Sequence, residues 1–112
     1  MLKIIKNPTF KTPVRVFVPV DNGQTEQTFT VEFRALTRSE VAAFDALSAD
    51  GADELLRRIV VGWDGAIDSD GDAFEYSAAN LDTLIDIPFV RQALTTAYFS
   101  ATSGVKAAKR GN

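Results

Sequence analysis

Cysteine and histidine are both absent from the 112 residues, and together these absences remove most of the chemistry that small domains carry. Without cysteine there is no disulfide framework, no thiolate nucleophile and no zinc-thiolate site. Without histidine the commonest general base and metal ligand is gone, so a serine nucleophile would need some other base. No glycine loop of the phosphate-cradling kind occurs. The carboxylate pairs Asp53/Glu54 and Asp82/Asp86 read as cap and surface charges, because nothing places them in an apolar cleft that would drive their pKa values apart. Neither catalytic activity nor a cofactor is expected. Long apolar runs are missing as well. None approaches the roughly 20 residues of a membrane helix, and Met1-Leu2-Lys3-Ile4-Ile5-Lys6 is too short and too broken for a signal peptide. Twelve basic against fifteen acidic residues give a net charge of −3, mild and well mixed, which argues against nucleic acid as the main partner. A cytoplasmic protein is expected.

The stretch Asp68-Ser69-Asp70-Gly71-Asp72 invites a calcium reading that its register refuses. With Gly71 at the sixth loop position, Asp68 and Asp70 fall at the third and fifth, but the first becomes Ala66 and the twelfth Ser77. The first ligand and the bidentate glutamate are both missing, so a tight polar turn is expected and no metal site.

What is present is an ordered series of local signals. Asn7-Pro8 and Thr12-Pro13 bias residues 1–12 towards an extended arm, with room for a short edge strand at residues 3–6. Val14, Val16, Val18 and Val20 then alternate with Arg15, Phe17 and Pro19, the period of a half-buried strand, and Pro19 puts that strand at an edge or near its end. Asn22-Gly23 supplies a tight turn, after which Phe29, Val31, Phe33 and Ala35 alternate with Thr28, Thr30, Glu32 and Arg34. Thr37-Arg38-Ser39-Glu40 is a capping box, and the helix it opens is expected to run to about Ser48 with Val41, Phe44 and Leu47 inward. Asp50-Gly51-Ala52-Asp53 reads as the next helix start, Leu55, Leu56, Ile59 and Val60 as its apolar stripe, and Gly62 as its C-cap.

Trp63, the only tryptophan, lies between Gly62 and Gly65. It is expected to anchor the core with its N–H bonded to an acceptor; the alternative is an exposed indole that grips a partner. Residues 64–77 read as a loop or small hairpin pinned by Ile67 and Phe74. Ser77 caps a short helix carrying Leu81, Leu84 and Ile85, and Pro88 opens a last helix that Gly104 ends. Val90, Leu94, Ala97 and Ala101 form its inner stripe, widened by Phe89, Ala93 and Tyr98, while Phe99 falls outside. Phe17 likewise stands on the otherwise polar side of its strand. Such aromatics often mark protein-binding surface. The expected architecture is α+β: an N-terminal antiparallel hairpin packed on a small bundle of about four helices, with an arm at 1–12, one domain at 13–104 and a flexible basic tail at 105–112.

The order of Phe29-Thr30-Val31-Glu32-Phe33-Arg34, Leu36-Thr37, Val61-Gly62-Trp63-Asp64-Gly65, the Asp/Gly turn, Phe74, Ser77, Asn80-Leu81, Val90-Arg91-Gln92-Ala93-Leu94 and Ala97-Tyr98 resembles the tail assembly chaperones of long-tailed bacteriophages and prophages. The resemblance spans roughly residues 28–104 and rests on order and spacing. It implies a non-enzymatic protein of the host bacterial cytoplasm, absent from the finished virion. Its implied partner is the tape measure protein, kept soluble until the tail tube forms, with the tail tube protein and self-association as further partners. On that reading Phe89, Tyr98 and Phe99 are the candidate contacts and Trp63 is the scaffold beneath them. The alternative is a structural virion component, a minor tail or head–tail connector protein.

Overall fold

The computed structural model describes residues 1–45 and 47–103. The expected basic tail at 105–112 and the Gly104 helix stop lie outside the described residues. Three strands form one antiparallel sheet in the order β1-β2-β3, with β1 at Thr9–Val20, β2 at Gly23–Arg34 and β3 at Val60–Asp64. Among the described residues four helices accompany it: α1 at Arg38–Ala42, α2 at Ala49–Ile59, α3 at Ala78–Ile85 and α4 at Pro88–Thr102. The fold is α+β, and the long N-terminal hairpin is its most extensive pairing.

The hairpin is longer than the alternating stretches alone suggest. β1 already starts at Thr9, inside the stretch expected to be an arm, while residues 3–6 form no strand. Asn22 takes a left-handed φ of 63° at the turn, a conformation that asparagine tolerates. Pro13 and Pro19 sit within β1, which is an edge strand, where a missing N–H costs no ladder bond. Along the inner face Val14, Val31 and Phe33 are fully buried, and the helices cover them.

The third strand corrects the sequence reading, which continues α2 to a Gly62 cap. Helix α2 stops at Ile59, and Val60-Val61-Gly62-Trp63-Asp64 turns into β3. Two β-branched residues there favour extended backbone, and β2 would otherwise leave its second edge unpaired. The pairs Val31 with Trp63 and Phe33 with Val60 extend the inner face, with a register shift between Glu32 and Phe33. Gly65, at φ 86°, ends the strand in a conformation that a side chain would strain.

Helix α1 is the second correction, since it closes after Ala42 instead of reaching Ser48. The Asp45 carboxylate accepts the Leu47 N–H, and the Ser48 hydroxyl and N–H both donate to the Asp45 carbonyl. These local bonds compete with helix continuation. Leu47 is therefore exposed, not part of an inner stripe. Ser48 caps α2 through the Gly51 N–H, so that helix starts just ahead of the expected Asp50. Only glycine fits at 51, because a Cβ there would come within 1.9 Å of the Asp45 carbonyl oxygen.

The capping box at Thr37 and Glu40 forms and takes the N-terminal segment with it. The Glu40 carboxylate accepts the Thr37 N–H and the Asn7 side-chain amide, each at 2.8 Å, and Asn7 also donates to the Ala35 carbonyl. Helices α3 and α4 begin at Ser77 and Pro88 as expected. Val90, Ala93, Leu94 and Tyr98 are the buried residues of α4, whereas Ala101 is exposed. Tyr98 meets Phe33 edge-on at 5.5 Å, and its hydroxyl accepts the Leu36 N–H at 3.0 Å, which fastens the last helix to the end of the sheet.

Removing that hydroxyl leaves the Leu36 N–H without its acceptor, so Tyr98→Phe should lower unfolding free energy by roughly 1–3 kcal/mol in urea titration. The bonds from the Thr37 backbone and then the Asn7 and Thr37 side chains, helped by Lys6, bring the Glu40 pKa down from 4.5 to about 2. A carboxyl with a lowered folded-state pKa contributes stability above its ordinary value and loses it as pH falls towards the folded one. Glu40→Gln should therefore be less stable than the parent at neutral pH. The gap in melting temperature should narrow as pH drops from about 4.5 towards 2.

Candidate functional site

Trp63 fastens the segment that follows β3 to the sheet. Its Nε1–H donates to the Phe74 carbonyl at 2.7 Å, and the indole stacks on the Phe74 ring with centroids 6.1 Å apart and planes 7° apart. Phe29 and Tyr76 meet it edge-on. Residues 66–76 are thereby folded back onto the sheet as a small hairpin, bridged by Ile67 and Ala73. Asp68 spends its carboxylate on the N–H groups of Asp70 and Asp72, the role of a turn residue. Among the described residues no three acidic side chains converge closely enough to hold a metal ion. Ser77 and Pro88 then launch α3 and α4 from this platform.

Helix α4 carries a single charged residue, Arg91, and that residue is turned away into an ion pair with Asp53 on α2. Its solvent-facing side consists of Gln92, Thr96, Phe99 and Ser100, a helix surface without charge. Where α4 runs beside β1, Phe89, Ala93 and Ala97 face Pro13, Arg15 and Phe17 across an open groove of about 370 Å³. Arg15 pairs with Glu26 at 2.6 Å and lies over the Phe17 ring, 5.5 Å from its centroid. The one guanidinium at the groove is thus balanced and laid against an aromatic face. Charge gathers instead where α2, α3 and the start of α4 meet: Arg57 bridges Glu54 and Asp82 across α2 and α3.

The structure separates the residues singled out in the sequence. Phe99 is 41% exposed and meets the ring of Tyr98 edge-on at 5.2 Å. Phe89 is partly buried at the head of the groove, packed against the core. Tyr98 is 1% exposed, so its ring is not offered to a partner and supports Phe99 from below. The reason is its place on the helix: it follows Leu94 by one turn and faces the sheet with it. Phe17, at 44% exposure, joins the groove although it was not among the candidate contacts. Its signal was an aromatic on an otherwise polar strand face.

Because Phe17 and Phe99 contribute little to the core, Phe17→Ser and Phe99→Ser should each change unfolding free energy by less than about 1 kcal/mol, with Phe89→Ser costing about 2 kcal/mol by the same denaturation assay.

A family model described as phage tail assembly chaperone matches residues 1–112. No curated protein and no solved structure matches the chain.

Proposed function

Because the chain belongs to the phage tail assembly chaperone family, we propose that it binds the tape measure protein and keeps it soluble while the tail tube forms. The observation that carries this reading is the uncharged outer side of α4, continuous with the groove shared by Phe17 and Phe89. Depletion of charge with retained aromatics is the composition of an interface centre. An apolar helical segment of a client could lie along this side with Phe99 and Phe89 as anchors and Gln92 and Thr96 as hydrogen-bonding neighbours. Phage tail proteins as partners follow from the family; the tape measure protein as the particular client is the finer step. The tail tube protein and further copies of the chain are the other partners that fit this role.

Family membership points to a non-enzymatic role, and no described helix is long and apolar enough to cross a membrane. The reading implies work in the host bacterial cytoplasm and absence from the finished particle, which separates it from that of a minor tail or connector protein. Co-expression with the tape measure protein should raise the soluble fraction of the latter and give a complex that co-purifies. Phe17→Asp combined with Phe99→Asp should abolish co-purification while the circular dichroism melt stays close to that of the parent. A complex unchanged by both substitutions would remove this face from the account, and recovery of the protein in stoichiometric amounts from purified virions would overturn the chaperone role.

A further inference from the structure

Residues 1–6, Met1-Leu2-Lys3-Ile4-Ile5-Lys6, precede β1 and carry four of the ten large apolar side chains that stand exposed among the described residues. Even Ile5, the least open of the four, is 56% exposed, so these residues bury little of their apolar surface within the molecule. Such a block of apolar surface is the kind that a partner covers. The segment is nevertheless firmly rooted. The Asn7 side-chain amide donates to the Ala35 carbonyl at 3.0 Å and to the Glu40 carboxylate at 2.8 Å, and the Pro8 carbonyl accepts the Ala35 N–H at 2.9 Å.

That root stands beside the last turns of α4. Ala35 adjoins Leu36, whose N–H donates to the Tyr98 hydroxyl. Phe10, two residues beyond Pro8, stacks on the Tyr98 ring at 6.5 Å, and Tyr98 in turn meets Phe99 at 5.2 Å. The exposed residues 1–6 therefore start next to the turn of α4 that offers Phe99 to solvent. From Asn7 back to Leu2 a fully extended chain spans about 17 Å. A helix with its side chains is only about 10–12 Å across. The segment is thus long enough to pass over a helix lying on the outer side of α4.

The outer side of α4 also needs such a contribution. With its groove it supplies about half of the roughly 20–30 residues that a stable interface takes on each partner. We propose that residues 1–6 act as a clasp: when an apolar helical segment of the tape measure protein lies on the outer side of α4, Leu2, Ile4 and Ile5 close over its far side. This rests on the reading of that side as the client surface and adds to it a second wall, hinged at Asn7. Lys3 and Lys6 lay their stems on the client and keep their ammonium groups in water.

Leu2→Ser/Ile4→Ser/Ile5→Ser removes the apolar side chains of the clasp without touching the core, so its circular dichroism melt should match that of the parent. Its complex with the tape measure protein should still form through α4 but dissociate about tenfold faster. Because the chain has no cysteine, Ile4→Cys gives a single site for an environment-sensitive fluorophore. Its emission should shift to the blue when urea-solubilised tape measure protein is diluted into the labelled chain. The same label on Ser69→Cys, exposed in the turn of the small hairpin, should not shift. A parent complex whose dissociation the triple substitution leaves unchanged overturns the clasp and leaves the α4 reading standing. Slower dissociation of the triple variant also overturns it, since residues 1–6 would then be a cover that the client displaces. Equal shifts at the two labels overturn it as well. A parent chain that forms no complex overturns the tape-measure reading itself, and the clasp with it.

Discussion

Only one face of this sheet can be buried, and that constraint governs the rest of the molecule. Two twelve-residue strands and a short third one present Val14, Val31, Phe33, Val60 and Trp63 on the same side, and all the helical cover must come to that side. The cover is too short for the hairpin. Beyond Phe29 on β2, and beyond Val16 on β1, the strands overhang the helices and their residues turn exposed or half-buried. Two grooves lie beside this overhang, one next to α4 and one between the hairpin and α3, with Phe89 lining both. The surface proposed for binding is thus a by-product of covering a long hairpin with a small body.

The elements with strong local signatures were legible in the amino-acid sequence. The capping box at Thr37, the serine cap at Ser77, the proline start of α4 and the alternation around Phe33 each carry a physical signal within a few residues. What the sequence hid was decided by distant partners. Val60 and Val61 follow Ile59 at helical spacing, and only the unpaired edge of β2 makes them a strand. The end of α1 was hidden for the opposite reason, because bonds confined to Asp45, Leu47 and Ser48 outcompete the apolar spacing of Leu47. At the candidate site, Phe17 and Phe99 stood out as aromatics off the apolar stripe, whereas Tyr98, placed on that stripe by its helical spacing, joined the candidate contacts only through the family resemblance. Its burial was legible from that spacing, but its partners Phe33 and Leu36 lie far away in the chain and were not.

Charge is distributed as unevenly as apolar surface. Arginine side chains on α2 and α4 are engaged with Glu54, Asp53 and Asp82, which ties the helices together on one side and leaves the outer side of α4 neutral. A neutral helix face next to a balanced Arg15–Glu26 pair can approach an apolar client with little desolvation of charge. Within the acidic run after Ile59, the Asp68 carboxylate closes its own turn and Asp82 pairs with Arg57.

The two prolines of β1 have a further consequence. Pro13 and Pro19 are six residues apart, so both backbone nitrogens point the same way, and the unbroken ladder to β2 requires that way to be outward. The open margin of the sheet therefore lacks a donor at both ends of a short window. A strand from another molecule could dock against at most a few residues there before it met a position with nothing to give. The sheet thereby resists becoming the seed of a fibril.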